Sequence, residues 1–206
     1  MPLSVASRAK KQKPRLVAVE GPVGVGKTTL VRALAKRYKA RLVEEDAENN
    51  PFLEAFYADP RRNAFQTQMA FLLSRYQQQR ALRQGDLFAP AAGSDYVFEK
   101  DRIFAYLNLD EAELALYDRI YRLLAPQVVK PDLVVYLMAR PEVLMDRIRS
   151  RGRRWERPIT LDYLQRVTKA YSDYFFHYDR TPLLVVNVSD IDFVQREQDL
   201  EDVISA

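Results

Sequence analysis

The 206-residue chain contains no cysteine and a single histidine. The first absence excludes disulfides, thiolate nucleophiles and cysteine-based zinc sites, and the second leaves no histidine cluster for a transition metal. No run approaches the roughly 20 consecutive apolar residues of a membrane-spanning helix, and no secretory apolar segment follows Met1. The expectation is a soluble, cytoplasmic protein with no membrane partner; a chain without cysteine fits a reducing compartment. Acidic residues are missing from the start of the chain, where Arg8, Lys10, Lys11, Lys13 and Arg15 come before any acid. Those five charges exceed the net charge of +4, so the basic pI of 9.2 belongs to the leader and not to a folded face. Residues 1–14 read as a disordered basic tail and not as a nucleic-acid arm, because no aromatic residues interleave for base stacking. An organellar transit peptide is the other reading of such an acid-poor leader. With 48% hydrophobic residues, 15–206 read as one domain.

What is present is an alternation of apolar runs with amphipathic stretches. Strands are expected at Leu16–Glu20, Arg41–Glu45, Leu133–Ala139 and Leu183–Val188, and a helix from Lys27 to about Lys39. Phe65, Met69, Leu72, Leu73 and Tyr76 recur at helical spacing and predict a long helix from Arg62 to about Arg83; Leu114, Leu116, Ile120 and Leu123 predict another over Asp110 to Leu124. A further strand near Ala91–Tyr96 rests on spacing alone, since Ala-Ala-Gly-Ser lacks the aliphatics of a central parallel strand. The pattern predicts a parallel sheet covered by helices.

Residues 21–28, GPVGVGKT, satisfy G-x-x-x-x-G-K-[ST] between an apolar strand and an amphipathic helix, the setting a phosphate-binding loop requires. Gly21, Gly24 and Gly26 allow backbone N–H groups to turn around phosphate oxygens, and the helix N-terminus adds its dipole. Lys27 is expected on the β- and γ-phosphates of ATP, with Thr28 and Thr29 beside it and the Thr28 hydroxyl on Mg²⁺. A loop of this kind leaves the phosphate acceptor open.

Glu44 and Glu45 close the second strand, at the sheet end that faces the ligand crevice. Asn49 to Arg75, NNPFLEAFYADPRRNAFQTQMAFLLSR, carries N-P-x-L-x-x-F-Y followed by F-x-x-Q and resembles the deoxynucleoside kinase family. Asp95 to Ala105 carries D-Y-x-x-x-K-x-x-x-F-A and resembles the bacterial deoxyguanosine kinase branch, with deoxyadenosine kinases close by. Arg147 to Glu156 carries R-x-x-x-R-x-R-x-x-E, similar to that family's arginine-rich lid.

The resemblance implies an α/β, three-layer sandwich of P-loop NTPase type with a five-stranded, mostly parallel sheet. It implies Mg-ATP-dependent phosphorylation of a deoxynucleoside 5′-hydroxyl, deoxyguanosine ranking before deoxyadenosine. By the same resemblance Glu45 is the catalytic carboxylate, Tyr57 and Glu156 meet the sugar 3′-hydroxyl, and Gln68 faces the base. Arg147, Arg151 and Arg153 grip the triphosphate, where planar guanidiniums match the spread charge of a transferring phosphoryl group. Asp192 and Phe193 lie beside the donor adenine, and a homodimer forms through the two long helices. Asp95 supplies a carboxylate for the Mg²⁺ shell, but many relatives place an arginine next to it where this chain has Tyr96; Lys100 is the substitute cation. Phe65 and Phe71 read as core, His177 as a structural or interface side chain, and Trp155 as packing on the lid. Two alternatives share the phosphate loop: a nucleoside monophosphate kinase, disfavoured by the acid at Glu44, Glu45 and Asp46, and a non-enzymatic nucleotide-binding regulator.

Overall fold

The structure, a computed structural model, describes residues 15–83 and 91–205. The basic tail read at residues 1–14 lies outside the described residues. Five strands, β1 (Leu16–Glu20), β2 (Arg41–Val43), β3 (Ala92–Ser94), β4 (Leu133–Met138) and β5 (Leu183–Asn187), form one sheet in the order β2-β3-β1-β4-β5. All four pairings are parallel. The helices are α1 (Lys27–Tyr38), α2 (Leu53–Ala58), α3 (Pro60–Arg83), α4 (Lys100–Asn108), α5 (Glu111–Leu124), α6 (Pro141–Arg151), α7 (Leu161–Phe176) and α8 (Glu197–Ser205). Parallel strands require crossovers, and helices supply every one of them.

Local chemistry sets the element boundaries. Asp110 caps α5 in a reciprocal capping box with Glu113. Pro141 opens α6, where its missing N–H costs nothing, and Gly152 ends that helix at φ 70°. The spacing-based third strand exists, and the packing explains its poor composition. A Cβ on Gly93 would stand 2.9 Å from Val31 Cγ2 of α1, so the helix lies too close to β3 for a branched side chain.

The main core lies between the sheet and its helices, with Val19, Leu30, Leu137, Leu144 and Leu164 fully enclosed. A second cluster, Leu72, Phe98, Ala105, Tyr117 and Tyr121, joins α3, α4 and α5. Phe65, Met69 and Tyr76 pack against it, whereas Leu73 is exposed. The stripe that α3 buries most deeply is partly polar: Ala64, Thr67, Gln68, Leu72, Arg75 and Gln79. Its purpose becomes visible in the cleft.

Candidate active site

A cavity of about 650 Å³ opens at the carboxyl ends of β1, β2 and β3. The loop after β1 forms one wall. Gly26 sits there at φ 103°, and a Cβ on it would meet Phe193 Cζ at 2.6 Å, so the position requires glycine on two counts. Lys27, Thr28 and Thr29 line the cavity. The Lys27 ammonium donates to the carbonyls of Gly21, at 2.7 Å, and Pro22, at 3.1 Å. Burial and then the like charge of Lys100 lower its pKa to about 8.

The opposite wall holds Glu45, just beyond β2. Arg75 of α3 donates to Glu45 through Nε at 2.8 Å and also through Nη2, while the Lys100 ammonium reaches its other oxygen at 2.7 Å. Burial pushes the Glu45 carboxyl up, but the Arg75 and Lys100 cations outweigh it and hold the group well below the usual carboxylate range. Asp95 ties the two walls together. Its Oδ2 accepts from the Thr28 hydroxyl and its Oδ1 from the Glu45 backbone N–H, both at 2.7 Å. Thr28 and Asp95 thus present two hard oxygen ligands side by side, which suits Mg²⁺ held by a few protein oxygens plus phosphates. No group of three histidine or acidic residues that could hold a metal by itself occurs among the described residues.

Deeper in, Gln68 donates through Nε2 to both the carbonyl and carboxylate of Asp101, which also receives Arg75 and the Tyr117 hydroxyl. Tyr57 and Phe71 line the same space, the Arg75 guanidinium lying 4.8 Å from the Phe71 ring centre. Phe65 packs in the second core cluster and Phe71 against the main core, as read from sequence, and Phe71 also lines the cavity. From the lid, Arg151, Arg153, Trp155 and Glu156 close the remaining side. Buried Glu156 accepts two bonds from Arg151, at 2.5 and 3.2 Å. Arg153 lies over the Trp155 ring.

Three residues assigned by resemblance stand apart from this cavity. Arg147 does not line it: its Nη2 donates to the carbonyls of Val188 and Ile191, at 2.9 and 2.7 Å, and braces the segment after β5, while its Nη1 is buried without a partner. Phe193 is buried against Gly26, and Asp192 caps the turn that follows by accepting from Gln195 N–H. His177 is exposed at the end of α7, its Nδ1 on the Asp173 carbonyl, well removed from the chemistry.

Sequence reasoning missed Arg75 and Asp101. A signal existed: Arg75 falls seven residues, two helical turns, after Gln68 and so shares its face, and Asp101 directly follows Lys100.

The parallel sheet, the glycine-rich loop between β1 and α1, and the arginine-rich lid define a P-loop phosphotransferase. Residues 17–206 match the deoxynucleoside kinase family, and the chain belongs to that family. It is 36% identical over 160 residues to deoxyguanosine kinase of Bacillus subtilis, covering 75% of each chain. It is also 29% identical over 204 residues to deoxyadenosine/deoxycytidine kinase of the same organism, covering 93% of this chain and 91% of the relative. Among solved structures, deoxyadenosine kinase from M. mycoides with products dCMP and dCDP superposes with a TM-score of 0.81 at 25% identity, over 92% of this chain and 97% of the other. Among the described residues no helix is long and apolar enough to cross a membrane.

Proposed function

We propose that the chain transfers the γ-phosphate of Mg-ATP to the 5′-hydroxyl of a deoxynucleoside, with deoxyguanosine preferred and deoxyadenosine second. The observation that carries this reading is the Glu45 carboxylate, held by two cations in the same cavity as Lys27 and Thr28. A carboxylate kept that acidic is a weak base. Its task is to orient the 5′-hydroxyl and take the proton late, as transfer makes that oxygen acidic, in keeping with a loose phosphoryl-transfer transition state. Lys27 turns from the carbonyls of Gly21 and Pro22 to the phosphates, and Arg151 and Arg153 meet charge on the transferring group. Thr28 and Asp95 would hold Mg²⁺, whose chemistry there is to neutralise charge on the phosphate oxygens.

Position 96 supplies no cation, since Tyr96 is buried and does not line the cavity, so Lys100 serves as the cation beside Glu45. The base sits by Gln68 and Arg75, and the sugar by Tyr57 and Glu156. Arg75 is held by Glu45 and Asp101 through all three of its guanidinium nitrogens, so the guanine preference rests on the Asp95–Ala105 resemblance and on the 36% identity to a deoxyguanosine kinase. Glu44, Glu45, Asp46 and Glu48 on one wall disfavour an acceptor that already carries a phosphate, as a nucleoside monophosphate kinase would need. Exposed Leu73 of α3 with Leu116 and Leu123 of α5 would form a homodimer face, to be checked by sedimentation.

The test is a panel of the four deoxynucleosides with Mg-ATP. Deoxyguanosine is expected to give the highest kcat/KM. Turnover of pyrimidine deoxynucleosides alone would remove the base assignment, and turnover only of monophosphates would remove the acceptor assignment.

A further inference from the structure

One buried acidic side chain, whose carboxyl burial pushes up against the pull of Lys100 and Lys27, takes no part in the chemistry above. Glu20 ends β1, is 0% exposed, and does not line the cavity. A carboxyl group in the core is costly unless its partners compensate, and an apolar residue of like size packs such a place without that cost. Its partners are therefore informative. Oε1 accepts from the backbone N–H of Gly21, the first residue of the phosphate loop, at 2.8 Å, and from the Tyr171 hydroxyl of α7 at 3.1 Å. Oε2 accepts from the backbone N–H of Val97 at 2.9 Å. Val97 lies in the short connection between Asp95 and Lys100, the two residues that touch Thr28 and Glu45.

The register shows why a side chain is needed there. The β1–β3 ladder ends at the pair Ala18–Ser94, two residues short of Glu20. The Glu20 carboxylate spans that gap at the level where the phosphate loop and the acceptor wall begin. We propose that Glu20 is a positioning residue that fixes the phosphate loop and the Asp95–Lys100 segment relative to each other, and so sets the in-line distance between donor phosphate and acceptor hydroxyl. This deepens the reading of the cavity given above and rests on it.

Replacement by glutamine is the sharp perturbation, because a carboxylate accepts through both oxygens and an amide through only one. In E20Q either Gly21 or Val97 faces an NH₂ group and must shift. Misplacement of about 1 Å lowers an oriented reaction on the order of 100-fold. The expected result is a kcat, per active site titrated, reduced on the order of 10- to 100-fold, with KM for ATP and for deoxyguanosine each within about threefold of wild type. A merely structural role would lower the melting temperature and the titratable fraction and leave kcat per site unchanged, and that outcome overturns the proposal.

Should E20Q not fold, hydrogen exchange on the wild-type protein decides. A non-hydrolysable Mg-ATP analogue is expected to slow exchange at the Val97 amide, and deoxyguanosine alone at the Gly21 amide; absence of both cross-effects refutes the coupling. Wild-type protein that phosphorylates no deoxynucleoside would bring down the cavity reading separately, and the ATP-analogue arm still tests the Glu20 link.

Discussion

Replacing Arg75 by methionine isolates the charge cluster that organises the acceptor side. Arg75 is 3% exposed and ion-paired to Glu45 and to fully buried Asp101. In R75M, Asp101 keeps only Gln68 and Tyr117 as side-chain donors. Removing one member of a buried pair costs about 3–5 kcal/mol, because the remaining charge is buried without compensation. For a domain of this size each kcal/mol moves Tm by about 2–4 °C, so R75M should melt roughly 6–20 °C lower by circular dichroism. The pH dependence has a definite sign. Burial already pushes the Asp101 carboxyl up from its ordinary 3.8, with Arg75 the chief opposing influence. Without Arg75 the folded state binds that proton still more tightly. The deficit is then smallest in acid, where Asp101 is protonated with or without Arg75, and grows only once pH passes the raised value at which wild-type Asp101 ionises. Adding D101N removes the stranded charge, so the double variant should regain about half or more of the lost Tm while turnover stays low. An R75M protein melting within about 2 °C of wild type, or a double variant no more stable than R75M, would refute the argument.

Glu45→Gln should lower kcat about 10²- to 10⁴-fold, with the nucleotide Kd within about twofold by calorimetry; near-normal turnover removes Glu45 from the mechanism. Lys27, at about 8, loses its charge as pH rises, so nucleotide affinity should be full below that value and fall through it, approaching tenfold per pH unit; a flat profile from about pH 7 to 9.5 contradicts this. Gly26→Ala forces a Cβ into a left-handed conformation and onto Phe193, and about 1–3 kcal/mol of strain should weaken nucleotide binding roughly 5- to 150-fold by the same calorimetry. Arg151→Lys should reduce kcat more than it raises KM for ATP, read by steady-state kinetics.

The phosphate loop and the sheet were legible in the sequence because both follow from local pattern: a glycine spacing fixed by backbone geometry, and apolar runs at crossover intervals. The third strand was nearly invisible, since its composition answers to the approach of Val31 across α1 and not to strand propensity. Periodicity identified α3 but not its orientation. Apolar spacing pointed to Leu73 as core, yet the buried stripe runs through Gln68, Arg75 and Gln79. A polar stripe is buried only when partners on α4 and beyond β2 meet it, and those partners are distant in sequence. Arg147 shows the reverse limit. Its motif spacing suits a phosphate, but the carbonyls of Val188 and Ile191 come from the far end of the chain and take the guanidinium.

In this cleft Lys27, Arg75, Lys100 and Arg151 all have partners within the protein. Under the proposed function, phosphate binding would be an exchange of partners. Lys27 leaves neutral carbonyls, a favourable trade for a phosphate anion, so it contributes to ground-state affinity. Arg151 leaves a carboxylate, Glu156, and gains little from an equally charged oxygen in the ground state. Its gain grows only as charge spreads over the transferring phosphoryl group, and interactions of that kind accelerate the chemical step instead of tightening binding. Under the proposed transfer, the Arg151–Glu156 pair would subtract from ATP affinity what Arg151 returns in the transition state.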